Sequence, residues 1–221
     1  MRAKFLESIQ RTEEIKSFRF LPDEKFEFLP GQFTQVIFDK ERKDNSALNK
    51  YLSFSSSPEK EYLEVTKRIS GSEFSGRLAG LRQGDTVLFK SPMGNCVFRE
   101  EYKRVAFLIG GIGITPVISM IEYITEKKVE ADIYLLYSNR SMGDIAFKGE
   151  LDIWVKQNSE FRIIYDTGRI DKDMVLKHMP DFKERVVFMF GPPGMVTVMK
   201  NICYGIGCNN DLIKAENFIG Y

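Results

Sequence analysis

The chain has 221 residues, enough for one large domain or for two of roughly 100 residues each. Its 32 Lys and Arg against 31 Asp and Glu leave a formal net charge of +1, which excludes the broad basic footprint of a nucleic-acid binder. One histidine, His178, and three cysteines, Cys96, Cys203 and Cys208, without metal-ligand spacing exclude a two-histidine metal or haem centre and a plant-type iron–sulfur module.

The opening residues, MRAKFLESIQRTEEIKSF, interleave charge with apolar side chains, and no segment approaches the ~20 apolar residues of a membrane span. A cytoplasmic location is expected, with the thiols reduced and His178 an ordinary residue at a helix end.

In chain order, KFLESI, SFRFLP, GQFTQVIFD, YLSFSS, YLEVTKRI and DTVLFK are rich in β-branched or aromatic residues and bounded by Pro, Gly, Asp or Ser. Six short strands in residues 1–100 suggest an antiparallel β-barrel, interrupted by one brief helix in SGRLAGL, from Ser75 to Leu81. From about residue 101 the pattern changes. VAFLIG, DIYLLYS, FRIIYD, VVFMF and a last strand near LIKAENF alternate with helical stretches headed by PVISMIEYITEKK, DIAFKGELDIWVKQ, IDKDMVLKH and PGMVTVMKNICYGI. Such alternation calls for a parallel sheet in an α/β domain over residues 101–221, with ligands expected outside the carboxyl ends of its strands.

The most informative stretch is VAFLIGGIGITP, Val105 to Pro116. Its apolar run is continuous, as in a strand buried on both faces, and Gly110, Gly111 and Gly113 then bare the backbone where a helix begins. Thr115 is the expected N-cap and Pro116 fits the first turn. Exposed N–H groups and the helix dipole suit a phosphate, although a tight strand-to-helix turn needs glycine equally, and Pro116 stands where a dinucleotide fingerprint has its third glycine. In KYLSFSSSP, Lys50 to Pro58, a cation and several hydroxyls could meet an anion with a polar ring edge, or form only a serine-rich turn. GSEFSGRL offers Ser75 and Gly76 at the start of the short helix, and GPPGM, Gly191 to Met195, reads either as a ligand wall or as a proline-led helix start.

Taken in order, PGQF, KYLSFSSSP, GSEFSGRL, SPMG, GGIGITP, YSNR, GPPGM and the terminal Tyr221 resemble the ferredoxin–NADP reductase family, flavoproteins with a barrel for FAD and an α/β domain for NAD(P)H. The resemblance implies that Lys50, Leu52 and Ser53 stand for the family's arginine-aromatic-serine strand, with Ser53 by the flavin N5, Ser56 by its phosphate side and Tyr51 on the other strand face. Ser55, Thr66, Lys67 and Gly71 join the flavin side, and Ser75 and Gly76 the pyrophosphate. Gly110, Gly111, Gly113, Ile114, Thr115 and Pro116 would cradle NAD(P), with Thr115 near the nicotinamide ribose. Gly191, Pro192, Pro193 and Met195 would wall the nicotinamide. Asn139, Arg140 and Arg169 fall on the ribose side, and the arginines lean the expectation towards NADP over NAD.

Three positions depart from the family pattern, one of them Phe190, which precedes GPP where many members carry cysteine. Lys50 replaces a guanidinium that would grip a diphosphate bidentately, and Leu52 replaces an aromatic. Glu216 is an expected proton relay or else a surface carboxylate, and Tyr221 a movable aromatic lid or else a chain end.

The activity implied is hydride transfer from NAD(P)H to bound FAD and onward electron transfer to a separate acceptor such as ferredoxin, flavodoxin or a small molecule. Lys40, Arg42 and Lys43 would meet an acidic acceptor or form a solvated loop. The alternatives are an NAD(P)H:flavin reductase using free flavin, an electron-transfer subunit of a multicomponent oxygenase or dehydrogenase, and a nucleotide-sensing module without turnover.

Overall fold

A computed structural model describes residues 1–42 and 44–218, and the chain divides into two compact units. The first holds Met1–Val97 with Thr115–Tyr123, and the second holds Phe98–Ile114 and the chain from Ile124 onward.

The first unit contains β1 (Arg2–Gln10), β2 (Ile15–Pro22), β3 (Phe33–Ile37), β4 (Asn49–Ser53), β5 (Leu63–Arg68) and β6 (Thr86–Phe89), with α1 (Glu73–Ala79) between the last two. All six expected strands are present, in one antiparallel sheet of order β4-β3-β6-β1-β2-β5. An isolated bridge between Phe54 and Val65 brings the end of β4 back onto β5 and closes the sheet. The alternation of each strand points one face inward. Phe5, Phe18, Phe20, Val36, Leu52, Phe54, Val65 and Phe89 form the core, with Phe74 and Leu78 of α1 packed into it.

Helix α1 begins two residues before the expected start. Ser72 is its N-cap, accepting from the Ser75 N–H, and Ser75 lies buried in the first turn. Either serine can cap, and Ser72 does so because Phe74 and Leu78 must both face the core, which sets the helix phase.

The second unit is built on β7 (Arg104–Gly110), β8 (Asp132–Ser138), β9 (Phe161–Asp166), β10 (Val186–Gly191) and β11 (Ile213–Asn217). They form one parallel sheet of order β11-β10-β7-β8-β9. Strand β7 is central, and Val105 to Ile109 are all fully buried, as the unbroken apolar run requires. The crossovers carry α2 (Ile114–Lys127), α3 (Lys148–Gln157), α4 (Lys172–His178) and α5 (Pro193–Ile206). A core of Leu108, Leu136, Val175, Met179, Phe182, Val187, Met189, Val196 and Met199 fills the space on one side. The chain steps from β7 to β8 and β9, then returns to β10 on the other flank of β7, so the carboxyl ends of β7 and β10 form a topological switch point.

Candidate active site: two glycine turns and a basic barrel strand

Both glycine turns lie at that switch point. Strand β7 runs into a 3₁₀ turn, Gly111–Gly113, and α2 follows at Ile114 with Gly113 as its N-cap. The expected N-cap, Thr115, is instead a buried second helical residue, because Gly111, Ile112 and Gly113 curl into a 3₁₀ turn before the α-helix starts, and Pro116 keeps its first-turn place. Gly111 has φ +52°, a left-handed conformation open to glycine at little cost. A Cβ on Gly113 would lie 2.1 Å from the Phe190 carbonyl oxygen at the end of β10. On the facing turn Gly191 has φ +152°, Pro192 is the N-cap and α5 begins at Pro193. The Met195 thioether lies across both turns, since Cβ atoms on Gly110 and Gly191 would meet it at 2.6 and 2.0 Å. Glycine at positions 110, 113 and 191 thus removes side-chain bulk where the two turns pack closely, and the flexible Met195 thioether lies against two of them.

Beside these turns is a cavity of about 400 Å³ lined by Gly110, Ser138, Gly168, Arg169, Ile170, Gly194, Met195, Val198 and Met199. Ser138 at the end of β8 donates its hydroxyl to the Gly168 carbonyl, which ties the cavity's two sides together. Arg140 and Arg169 are exposed, and neither makes an ion pair among the described residues. Asn139 is buried, its backbone N–H bonded to the Asp166 carbonyl at 2.9 Å, yet both polar atoms of its side-chain amide lack a partner among the described residues. A buried amide left with donor and acceptor unmet is costly in water-free surroundings and fits a polar ligand. The bare turns and this amide together fit a dinucleotide.

In the barrel, β4 separates the expected flavin residues by face. Leu52 is buried in the core, while Tyr51 is half exposed and meets Phe33 edge-on at 5.9 Å between ring centroids. Of the two possibilities for aromatic contact, the exposed ring is Tyr51. Across the ladder from Tyr51, Gln35 is buried with its Oε1 unpartnered among the described residues, a feature that nothing in GQFTQVI signals beyond a polar residue in strand alternation. Lys67 on β5 is held below the usual lysine range, first by burial and then by the Lys50 ammonium. Two ammoniums kept near each other, an outward aromatic and an orphaned acceptor fit an anionic ligand with a polar ring, as FAD is.

Other expected flavin residues are committed elsewhere. The Ser55 hydroxyl bonds Glu64 at 3.1 Å and Thr66 at 2.7 Å, and Thr66 also meets the Ser17 hydroxyl at 2.6 Å. Ser56 Oγ accepts from the Glu64 backbone N–H. Glu64, nearly inaccessible, accepts in turn from Arg11 and Arg19. These hydroxyls therefore brace the strand end. Ser53 is partly exposed on the same strand face as Tyr51, Gly71 and Gly76 have open space around them, and Ser75 exchanges hydrogen bonds with Ser70 and Ser72. Burial pushes the Glu216 carboxyl on β11 up to about 7. Arg42 is paired with Asp39 at 3.1 Å, whereas Lys43 and Tyr221 lie outside the described residues.

An oxidoreductase NAD-binding domain family matches residues 107–201. The NADH-cytochrome b5 reductase 2 of Meyerozyma guilliermondii is 30% identical over 72% of this chain and 60% of that protein. The glycine betaine monooxygenase reductase subunit of Pseudomonas aeruginosa is 30% identical over 95% of this chain and 62% of that one. The ferredoxin-NADP+ reductase of Plasmodium falciparum has the same fold, with TM-score 0.85 over 98% of this chain and 95% of that chain at 16% identity.

The chain matches the oxidoreductase NAD-binding domain family and has the ferredoxin–NADP reductase fold. It spans about three fifths of the length of the first two relatives. Within the ferredoxin–NADP reductase fold, its barrel sheet precedes its parallel sheet as expected. No helix among the described residues is long and apolar enough to cross a membrane, and no group of three or more His, Cys, Asp or Glu side chains among them could hold a metal ion.

Proposed function

We propose that the protein is a flavin-dependent NAD(P)H reductase that takes hydride from the dinucleotide and passes electrons to a separate acceptor. The observation that carries this reading is the pairing of the two glycine turns at the switch point of the parallel sheet, with Gly113 in backbone contact range of Phe190 and the orphaned amide of Asn139 nearby.

In this reading the Gly110–Gly113 turn offers backbone to the dinucleotide phosphates, and the start of α2 adds its dipole. Gly191, Pro192, Pro193 and Met195 bound the nicotinamide end, and Asn139 orients the ribose. Arg140 and Arg169 give the 2′-phosphate two exposed guanidiniums, which favours NADPH over NADH. In the barrel, Lys50 and Lys67 neutralise the flavin diphosphate, Tyr51 supplies the ring contact and Ser53 a hydrogen bond at the ring edge. When bound, FAD supplies the hydride acceptor and the step from two-electron to one-electron chemistry. The protein's own work is to hold two ring systems and their charges, and Glu216 can hold or release a proton near neutral pH. The relatives are named for reduction of cytochrome b5 and for a monooxygenase, which supports a one-electron protein acceptor for this chain as well.

A second reading, in which flavin is a substrate, is favoured by the burial of Leu52 in the core and by Lys50 in place of a guanidinium. NAD(P)H-dependent reduction of ferricyanide by the isolated chain, with FAD retained through gel filtration, supports the first reading. Activity only with added free flavin supports the second, and no turnover under either condition contradicts both.

A further inference from the structure

The geometry points to Tyr137 as a positioning residue for the dinucleotide turn, an assignment that rests on the dinucleotide reading above. Tyr137 sits near the carboxyl end of β8 and is fully buried. A phenol removed from water needs a partner for its hydroxyl, and this one donates to the Gly111 carbonyl at 3.0 Å. Gly111 is the residue that turns left-handed at φ +52°, the point at which the chain leaves β7 and enters the 3₁₀ turn.

The same carbonyl accepts from the backbone N–H of Ile114, the first residue of α2. One donor comes from the turn's own helix and the other from the neighbouring strand. Because the peptide is planar, holding its carbonyl fixes the plane of the whole Gly111–Ile112 unit. Glycine by itself does not favour this conformation over its other accessible ones, so the turn needs an outside restraint to hold one shape before ligand arrives. Tyr137 supplies it from a rigid strand whose neighbour across the ladder, Ile109, leads directly into the turn. The phenol therefore acts on the dinucleotide through the backbone it orients, without touching the reacting atoms. Preorganisation of this kind shows in binding, since a slack turn must be ordered when the ligand arrives.

A neighbouring tyrosine provides the control. Tyr165 on β9 stands one strand further out, 6.5 Å from Tyr137 between ring centroids, and donates its hydroxyl to Asp152 at 2.8 Å, away from the glycine turn. Tyr137→Phe keeps the ring and its packing and removes only the hydroxyl, and Tyr165→Phe removes a hydroxyl of the same kind with no link to the turn.

The test is isothermal titration of the wild type and both variants with NADP+ and NAD+, together with steady-state kinetics and melting temperature. The expected result for Tyr137→Phe is a nucleotide Kd and KM raised about fivefold with kcat within twofold of wild type, as the loss of one neutral hydrogen bond predicts. Tyr165→Phe is expected to leave Kd within twofold of wild type. Equal nucleotide affinity in Tyr137→Phe and wild type overturns the assignment, and so does an equal loss in both variants, which would mark a general effect on stability. A wild type that binds neither nucleotide overturns the dinucleotide reading itself.

Discussion

Gly113 and Phe190 approach so closely that a methyl group on the glycine would sit 2.1 Å from the phenylalanine's carbonyl oxygen. The obstacle is backbone at the end of a fully buried strand, so it cannot swing aside as a side chain would. Gly113→Ala must therefore push the glycine turn off β10, a forced overpacking worth ~1–3 kcal/mol. The expected outcome is a KM for NAD(P)H raised roughly tenfold or more, with flavin content unchanged. Steady-state kinetics on the FAD-loaded variant measure this.

The Glu64 network predicts a stability effect. Glu64 and Arg11 have side chains only 3% and 8% exposed, and their ion pair at 3.2 Å is joined by Arg19 at 2.9 Å. Removing the carboxylate leaves Arg11 buried without this partner, at a cost of about 3 kcal/mol. Glu64→Ala should lower the calorimetric melting temperature by several degrees and loosen Ser55 and Thr66, whose hydroxyls join the same network. An unchanged melting temperature would show that the network is energetically neutral.

Glu216 predicts a pH dependence. Burial raises its carboxyl from an ordinary 4.5 to about 7, so the folded state holds the proton more tightly than the unfolded state. The stability this contributes is complete below pH 4.5 and is lost as pH rises to about 7. Glu216→Gln, neutral throughout, should gain melting temperature relative to wild type as pH rises through that window and hold a constant lead above it. Parallel melting curves from pH 4 to 8 would contradict this, a range that brackets both values.

Arg140 and Arg169 predict the choice of donor. Each charge-assisted hydrogen bond to a phosphate contributes ~1.5–3 kcal/mol, so the Arg140→Ala/Arg169→Ala variant should lose about tenfold or more in kcat/KM with NADPH. Its kcat/KM with NADH should stay within about twofold, because the two nucleotides differ only at the 2′-phosphate. Equal losses with both nucleotides would assign the arginines to shared parts of the ligand.

The fold was readable where one local rule governed a segment. The unbroken Val105–Ile109 run marks a central parallel strand, and all six barrel strands follow their β-branched and aromatic stretches. Helix starts were less readable. GSEFSG contains two serines that can cap and GGIGITP can begin its helix at several residues, so packing chooses between them. Least visible were features made by chain segments far apart. The hydroxyl of Tyr137 meets Gly111 across 26 residues, and the unmet amide of Asn139 and carbonyl of Gln35 become significant only once burial removes water. Leu52 shows the same limit. The resemblance sets Leu52 at the family's aromatic flavin position, whereas strand phase turns it into the barrel core and leaves Tyr51 outside.

The central claim is that this chain binds a flavin and reduces it with a nicotinamide dinucleotide, and an absorbance spectrum of the purified, FAD-supplemented protein tests it most directly. After gel filtration the account expects a yellow protein with about one flavin per chain, whose visible band bleaches anaerobically with NADPH at lower concentration than with NADH. A colourless protein, or a flavin band that neither nucleotide bleaches, would contradict it.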